Sequence, residues 1–264
     1  MISIICPFYN EETLVSLFFS ELMKTVAILT DEIEIICIND GSTDQTLQKL
    51  IEQKQSAPAH FVIRIIDFSR NFGKEAALTA GIDNARGDAV IPIDTDLQDP
   101  PELIIALLDK WREGYEVVLA KRCDRSADTW LKRKTAGWFY RLHNAISSPP
   151  IPENVGDFRL LDRVAVDALK RLPERERFMK GLFNWVGFKT TQIEFTRMSR
   201  KTGETKFPML KLWNFALDGI TSFSTVPLRI WSYLGFLISL LAFAYGSVII
   251  IRTLIEGIDI PGYA

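Results

Sequence analysis

The chain has 264 residues, 47% hydrophobic and 24% charged, which is enough apolar material for one sizeable core with a smaller appendage and excludes a disordered protein. A formal net charge of −2 excludes a dedicated nucleic-acid binder, so any basic patch must be local. Three cysteines, Cys6, Cys37 and Cys123, cannot all pair and read as reduced residues of a cytosolic domain; neither they nor His60 and His143 have zinc-ligand spacing.

Met1 leads directly into Ile2-Ser3-Ile4-Ile5-Cys6, a strand stopped by Pro7, so no signal peptide is expected. Asn10-Glu11-Glu12 then opens a helix predicted to reach about Thr25. The pattern repeats with a strand over Ile33 to Ile38, a turn over Asn39 to Asp44 and a helix over Gln45 to Gln55. A third strand, Val62 to Asp67, precedes a helix from about Lys74 to Ala85, and a fourth covers Ala89 to Ile93. A helix from Pro101 to Glu113 leads to a fifth strand, Glu116 to Ala120. Strands alternating with helices imply βαβ units and a mostly parallel α/β sheet flanked by helices, with ligands beyond the carboxyl ends of the strands. That edge gathers Pro7 to Glu11, Ile38 to Asp40, Ser69 to Lys74 and Asp94 to Gln98.

Asp94-Thr95-Asp96-Leu97-Gln98-Asp99-Pro100-Pro101 is the most informative stretch. In extended backbone Asp94 and Asp96 share a face, and two hard anionic oxygens suit Mg2+ or Mn2+ that also holds phosphate. Gln98 continues the row as a neutral oxygen ligand. Taken alone, the stretch is equally an Asp-rich turn capping a helix that begins near Pro100, a task that suits Asp99. Neither a Walker loop nor a Gly-x-Gly-x-x-Gly turn follows the first strand, so phosphates must be held by metal and side chains. Asp40 is placed to accept hydrogen bonds from a base or ribose and Tyr9 to stack on a base, although each residue type is more often a turn cap or a surface aromatic.

Pro7-Phe8-Tyr9-Asn10-Glu11-Glu12, Asn39 to Asp44, Asn71-Phe72-Gly73-Lys74, Asp94 to Pro101 and Gly156-Asp157-Phe158-Arg159-Leu160 together resemble the inverting glycosyltransferases of the GT-A fold. Within these the chain is similar to polyprenyl-phosphate glycosyltransferases, namely bactoprenol glucosyltransferases and dolichyl-phosphate mannose synthases. The resemblance implies donor contacts from Pro7, Tyr9, Glu11, Ile38, Asp40, Lys74, Thr95, Arg200 and Lys206. It also implies metal and diphosphate contacts from Asp94, Asp96 and Gln98. Asp157 it places beside the acceptor as a general base, whereas a carboxylate after Gly in a loop is, on its own, more often a turn residue. The Gln-x-x-Arg-Trp motif of processive synthases is absent, which favours transfer of a single sugar.

Lys121-Arg122-Cys123-Asp124-Arg125 and Lys132-Arg133-Lys134 crowd positive charge after the fifth strand. A solvated helix face would look the same, but a lipid-phosphate acceptor needs cations, and Arg122, Arg125 and Arg133 suit that phosphate. Ser199 to Lys206 reads as a lid ordered by donor binding. Pro208 to Phe223 reads as an amphipathic interfacial helix, and Ile230 to Ile251 contains no charged residue and is long enough to cross a bilayer. Lys206, Lys211 and Arg229 precede the span, which puts the catalytic side in the cytoplasm.

The expected organisation is therefore a GT-A domain over 1–206, a juxtamembrane helix over 207–229 and a membrane helix with its following loop over 230–264. Relatives of this kind usually continue into a second span. The expected reaction moves one sugar, glucose from UDP-glucose first, to undecaprenyl phosphate at the inner membrane with inversion and Mg2+ or Mn2+. GDP-mannose or an aminoarabinose donor, or a catalytically silent nucleotide-binding scaffold, are the alternatives. A single anchor helix with a Trp/Phe-rich approach also suits a homo-oligomer.

Overall fold

The computed structural model describes residues 1–58, 61–123, 152, 154–172, 174, 177–196 and 224–257. The alternating first half forms β1 (Ile2–Phe8), α1 (Val15–Val26), β2 (Ile33–Asn39), α2 (Thr46–Ser56), β3 (Phe61–Asp67), α3 (Lys74–Asn84), β4 (Ala89–Pro92), α4 (Leu103–Arg112) and β5 (Val117–Arg122). After it come β6 (Val155–Asp162), α5 (Arg163–Lys170), α6 (Met179–Trp185) and β7 (Thr190–Phe195), followed by a long helix, α7 (Val226–Glu256). The strands make one sheet in the order β3-β2-β1-β4-β6-β5-β7.

β1, β2 and β4 are buried almost throughout, because helices cover both faces of the parallel part of the sheet. Successive residues serve opposite faces. Ile4, Cys6 and Phe8 of β1 join Phe18, Phe19 and Leu22 of α1 in one cluster, whereas Ile5, with Ile36 and Ile38 of β2, packs with Ala77, Leu78 and Ile82 of α3 in the other.

The pairing of β1 with β2 and β4 is parallel, as is that of β2 with β3 and β5 with β7. β6 runs antiparallel to both β4 and β5, Val90 facing Leu161 and Val118 facing Leu160. This places Asp157 on a strand, correcting its reading as a loop residue.

Two helices start later than their sequence predicts. α1 begins at Val15 because the residues before it are committed to the neighbouring loop: Glu11 N–H donates to Thr46 Oγ1 at 2.9 Å and Glu12 N–H to Asp44 Oδ2 at 3.2 Å. α4 begins at Leu103, with Glu102 at its N-cap position making no side-chain capping hydrogen bond. In α7 the segment Leu228–Ile255, with mean hydropathy 2.4, is long and apolar enough to cross a membrane. The proposed interfacial helix Pro208 to Phe223 lies outside the described residues.

Candidate active site

The order of the sheet places β1 between β2 and β4, so the chain reverses its winding there and opens a crevice beyond the strand ends. The segment after β4 is fastened into this crevice by Ile93 N–H, which donates to Ile5 O at 2.9 Å, and by Thr95 Oγ1, which donates to Pro7 O at 3.2 Å. Thr95 thus joins the ends of β1 and β4. Beyond it burial alternates: Thr95, Leu97 and Asp99 are buried, while Asp94, Asp96 and Gln98 are half-exposed.

Leu97 adopts φ 57°, a conformation costing a non-glycine residue about 1–2 kcal/mol. Its side chain is only 3% exposed and joins the core cluster, which offsets that cost and turns its two polar neighbours outward. Asp96 Oδ1 accepts the Gln98 N–H at 3.1 Å, closing the turn. Asp99 instead faces Arg122, with Nη2 3.8 Å from its Oδ1.

The centre of the site is Lys74, the first residue of α3. Its Nζ lies 2.5 Å from Asp94 Oδ1 and 2.6 Å from Asp157 Oδ2, so one ammonium joins the end of β4 to the middle of β6. Burial alone would lower the Lys74 pKa, but the charges of Asp157 and Asp94 hold it well above the usual value. Burial alone would raise that of Asp157, yet Lys74 and then Lys180 hold its carboxyl well below the usual range. Among the described residues Asp157 Oδ1 has no hydrogen-bond partner although it is buried. Glu75, which sequence reasoning passed over, is pushed up to about 7 by burial and by the charge of Asp157. Its only local signal is adjacency to Lys74.

On the β2 side the Asp40 carboxylate takes hydrogen bonds from Phe72 N–H at 2.7 Å, Gly73 N–H at 3.0 Å and Asn71 Nδ2 at 3.1 Å. It therefore shapes the wall that delivers Lys74, and burial raises its pKa. Gly41 beside it has φ +61°, and a Cβ there would lie 2.2 Å from the Arg70 carbonyl carbon, so only glycine fits. Tyr9 is 38% exposed at the end of β1. Asn10 and Glu11 are pinned to the opposite loop, Asn10 Oδ1 accepting from Thr43 N–H at 2.8 Å. Ile38 is fully buried in the α3 cluster, so it floors the site from below.

Among the expected acceptor cations, Arg122 ends β5 at the same edge, and a Cβ on Gly156 would lie 3.1 Å from its Nη2. Arg125, Arg133, Arg200 and Lys206 lie outside the described residues. The structure thus gathers Pro7, Tyr9, Glu11, Ile38, Asp40, Lys74, Asp94, Thr95, Asp96, Gln98, Arg122 and Asp157 at one edge, with Ile38 buried and Asp40 accepting hydrogen bonds from the loop before α3.

This arrangement has known counterparts. The profile of Glycosyl transferase family 2 matches residues 3–170. An uncharacterized glycosyltransferase of Synechocystis sp., sll0501, is 55% identical over 263 residues, which cover 100% of this chain and 82% of the relative. A prophage bactoprenol glucosyl transferase homolog of Escherichia coli is 52% identical, covering 99% of this chain and 85% of its own. In fold, the chain matches glucosyl-3-phosphoglycerate synthase from Mycobacterium tuberculosis, solved with Mn2+, UDP and glucosyl-3-phosphoglycerate, with TM-score 0.56 at 20% identity over 83% of this chain and 77% of that one. The architecture is the GT-A fold, and the chain belongs to glycosyltransferase family 2.

Proposed function

We propose that this chain transfers one glucose from UDP-glucose to undecaprenyl phosphate at the cytoplasmic face of the inner membrane, with inversion at the anomeric carbon. Relatives about half identical over nearly the whole chain carry the name bactoprenol glucosyl transferase, which supports glucose as the sugar and a polyprenyl lipid as the acceptor. The observation that carries the reading is the Lys74 bridge, because it links the Asp94 loop, suited to a diphosphate, to Asp157. In the reaction a phosphate oxygen of the acceptor bonds to C1 of the sugar as the bond from C1 to the UDP oxygen breaks. A phosphate monoester with a second pKa of about 6 is already mostly dianionic at neutral pH. Asp157 therefore has to take a proton only from the monoprotonated minority, and positioning carries more of the catalysis than base chemistry.

Half-exposed Asp94 and Asp96 with the Gln98 amide form a hard-oxygen set that fits Mg2+ or Mn2+, and Lys74 occupies only one Asp94 oxygen. A cation there would be held jointly with substrate oxygens. Such an ion, when bound, neutralises charge developing on the departing diphosphate. The α7 helix anchors the domain to the bilayer, and its Trp-bearing approach suits a homo-oligomer.

The test is a donor panel with the detergent-purified chain, undecaprenyl phosphate and Mn2+. Highest turnover is expected with UDP-glucose. Preference for GDP-mannose or an aminoarabinose donor would redirect the specificity, and nucleotide binding without transfer from any donor would make the chain a scaffold.

A further inference from the structure

We infer that Glu75 is a positioning residue for Asp157: it docks α6 against α3 and sets a second negative charge beside the Lys74–Asp157 pair. Glu75 lies in the first turn of α3, and its Oε2 accepts the Met179 N–H at 2.9 Å. Met179 begins α6, which has no side-chain cap of its own at Phe178, so the capping oxygen comes from another helix. One turn along α3, Thr79 Oγ1 donates to Glu75 O at 2.8 Å and faces Met179 Sδ at 3.8 Å.

What α6 brings is charge. Lys180 follows Met179, and its ammonium acts on both Asp157 and Glu75. Phe183 holds the Arg159 guanidinium 4.2 Å from its ring centroid, and Arg159 in turn favours the Asp157 carboxylate while donating to Gly156 O at 2.6 Å. The groups that act on Glu75 are thus Lys74 on its own helix, Asp157 on β6 and Lys180 on α6, with Arg159 of β6 reached through Asp157 and Asp94 of the β4 end through Lys74.

The inference rests on the proposed transfer to lipid phosphate. An ionised Glu75 opposes the Asp157 charge and so favours movement of the acceptor's P–OH proton onto the Asp157 carboxylate as the phosphate oxygen bonds to C1. Glu75 does this through Asp157, without touching substrate.

Glu75→Gln separates charge from shape, since the amide oxygen still accepts the Met179 N–H. The experiment measures kcat and KM of the full chain in detergent from pH 5.5 to 9, with undecaprenyl phosphate and the donor that gives wild-type turnover. Expected is a kcat lowered by no more than a few fold, and only between about pH 6 and 8, where ionised Glu75 and the monoprotonated acceptor coexist, with KM for the nucleotide sugar unchanged and wild-type turnover at pH 9, where the acceptor is dianionic. The inflection that Glu75 ionisation gives the wild type inside that window should disappear, and Glu75→Asp should restore part of the rate there. A Glu75→Gln enzyme with wild-type kcat and pH profile would overturn the inference and leave only a structural contact. Should Glu75→Gln not fold, Lys180→Gln carries the test, because losing that cation should move the inflection to higher pH; an unmoved inflection overturns the proposal. A wild-type chain inactive with every donor would instead overturn the reading of function on which this stands.

Discussion

Two buried carboxylates, Glu34 at the amino edge of the sheet and Asp157 at the carboxyl edge, are treated in opposite ways. Glu34 is 2% exposed and fully satisfied: Ser3 Oγ donates at 2.7 Å, Arg64 Nη1 at 2.7 Å and Arg86 N–H at 3.1 Å, and Ser3 Oγ also accepts the Gly87 N–H. Burial opposes its ionisation, but these hydrogen bonds and the Arg64 charge outweigh it, leaving its pKa below the usual value. Asp157 shares its lysine with Asp94 and keeps one buried oxygen without a partner among the described residues. A network closed on itself stabilises the fold, and one left with an open acceptor is poised to receive a proton or a ligand group.

The comparison predicts that substitutions at the carboxyl edge remove activity and those at the amino edge remove stability. The largest effect is expected for Asp96→Ala, which should lower transfer by about 10³-fold or more and abolish metal-dependent nucleotide binding, while Tm in detergent stays within a few degrees. Full wild-type activity in EDTA would sink the metal assignment. Asp157→Asn should slow turnover by roughly 10²-fold, with the defect shrinking as pH rises above the acceptor's second pKa of about 6. A defect independent of pH would leave Asp157 a positioning residue only.

Arg122→Ala tests whether the same edge divides between donor and acceptor. The apparent KM for lipid phosphate should rise about tenfold and that for nucleotide sugar hardly at all, as for loss of one charge-assisted contact. Equal rises would assign Arg122 to holding the Asp94 to Asp99 segment through Asp99. At the amino edge Glu34→Ala should cost about 3 kcal/mol of stability in urea unfolding, by removing the acceptor that Ser3 Oγ, Arg64 and the Arg86 N–H share, with kcat of the folded enzyme unchanged.

The smallest effect is the sharpest, because the two edges should respond to pH with opposite sign. Glu34 has a lowered pKa, so its stabilisation is present above its ordinary value of 4.5 and is lost as pH falls through the folded value. Glu75 has a raised one, so its burial destabilises increasingly as pH climbs from 4.5 through about 7. Glu75→Gln should therefore raise Tm by a few degrees at pH 8 and by nothing near pH 4.5. A gain of equal size at both pH values would refute the assigned direction.

The parallel half of the sheet was legible because each strand is a short apolar run ending in a turn, a signal carried by neighbours in sequence. The antiparallel β6 was not. Val155-Gly156-Asp157-Phe158-Arg159 mixes a glycine and two charges into a strand, and those residues are there because Arg122 approaches Gly156 and Lys74 meets Asp157. Partners 30 or more positions away leave no local trace. Asp94 and Asp96 were legible as a half-exposed pair, but the turn that separates them from the core depends on the left-handed Leu97, which no propensity announces. Asp40 was found for its position, but the Phe72 and Gly73 amides that its oxygens accept lie 32 and 33 residues away and left no trace beside it in the sequence.

The length of α7 has a consequence for how the domain sits on a bilayer. The helix has 31 residues and would measure about 46 Å, well beyond a hydrocarbon core of about 30 Å. Its uncharged run, Ile230 to Ile251, is bounded by Arg229 and Arg252 and measures only about 33 Å, nearly the thickness of that core. Were the helix to cross a bilayer, the two arginines would act as stops, setting the depth of insertion while the surplus turns extended into the headgroup layer. Depth would thereby be nearly fixed while rotation about the helix axis would not.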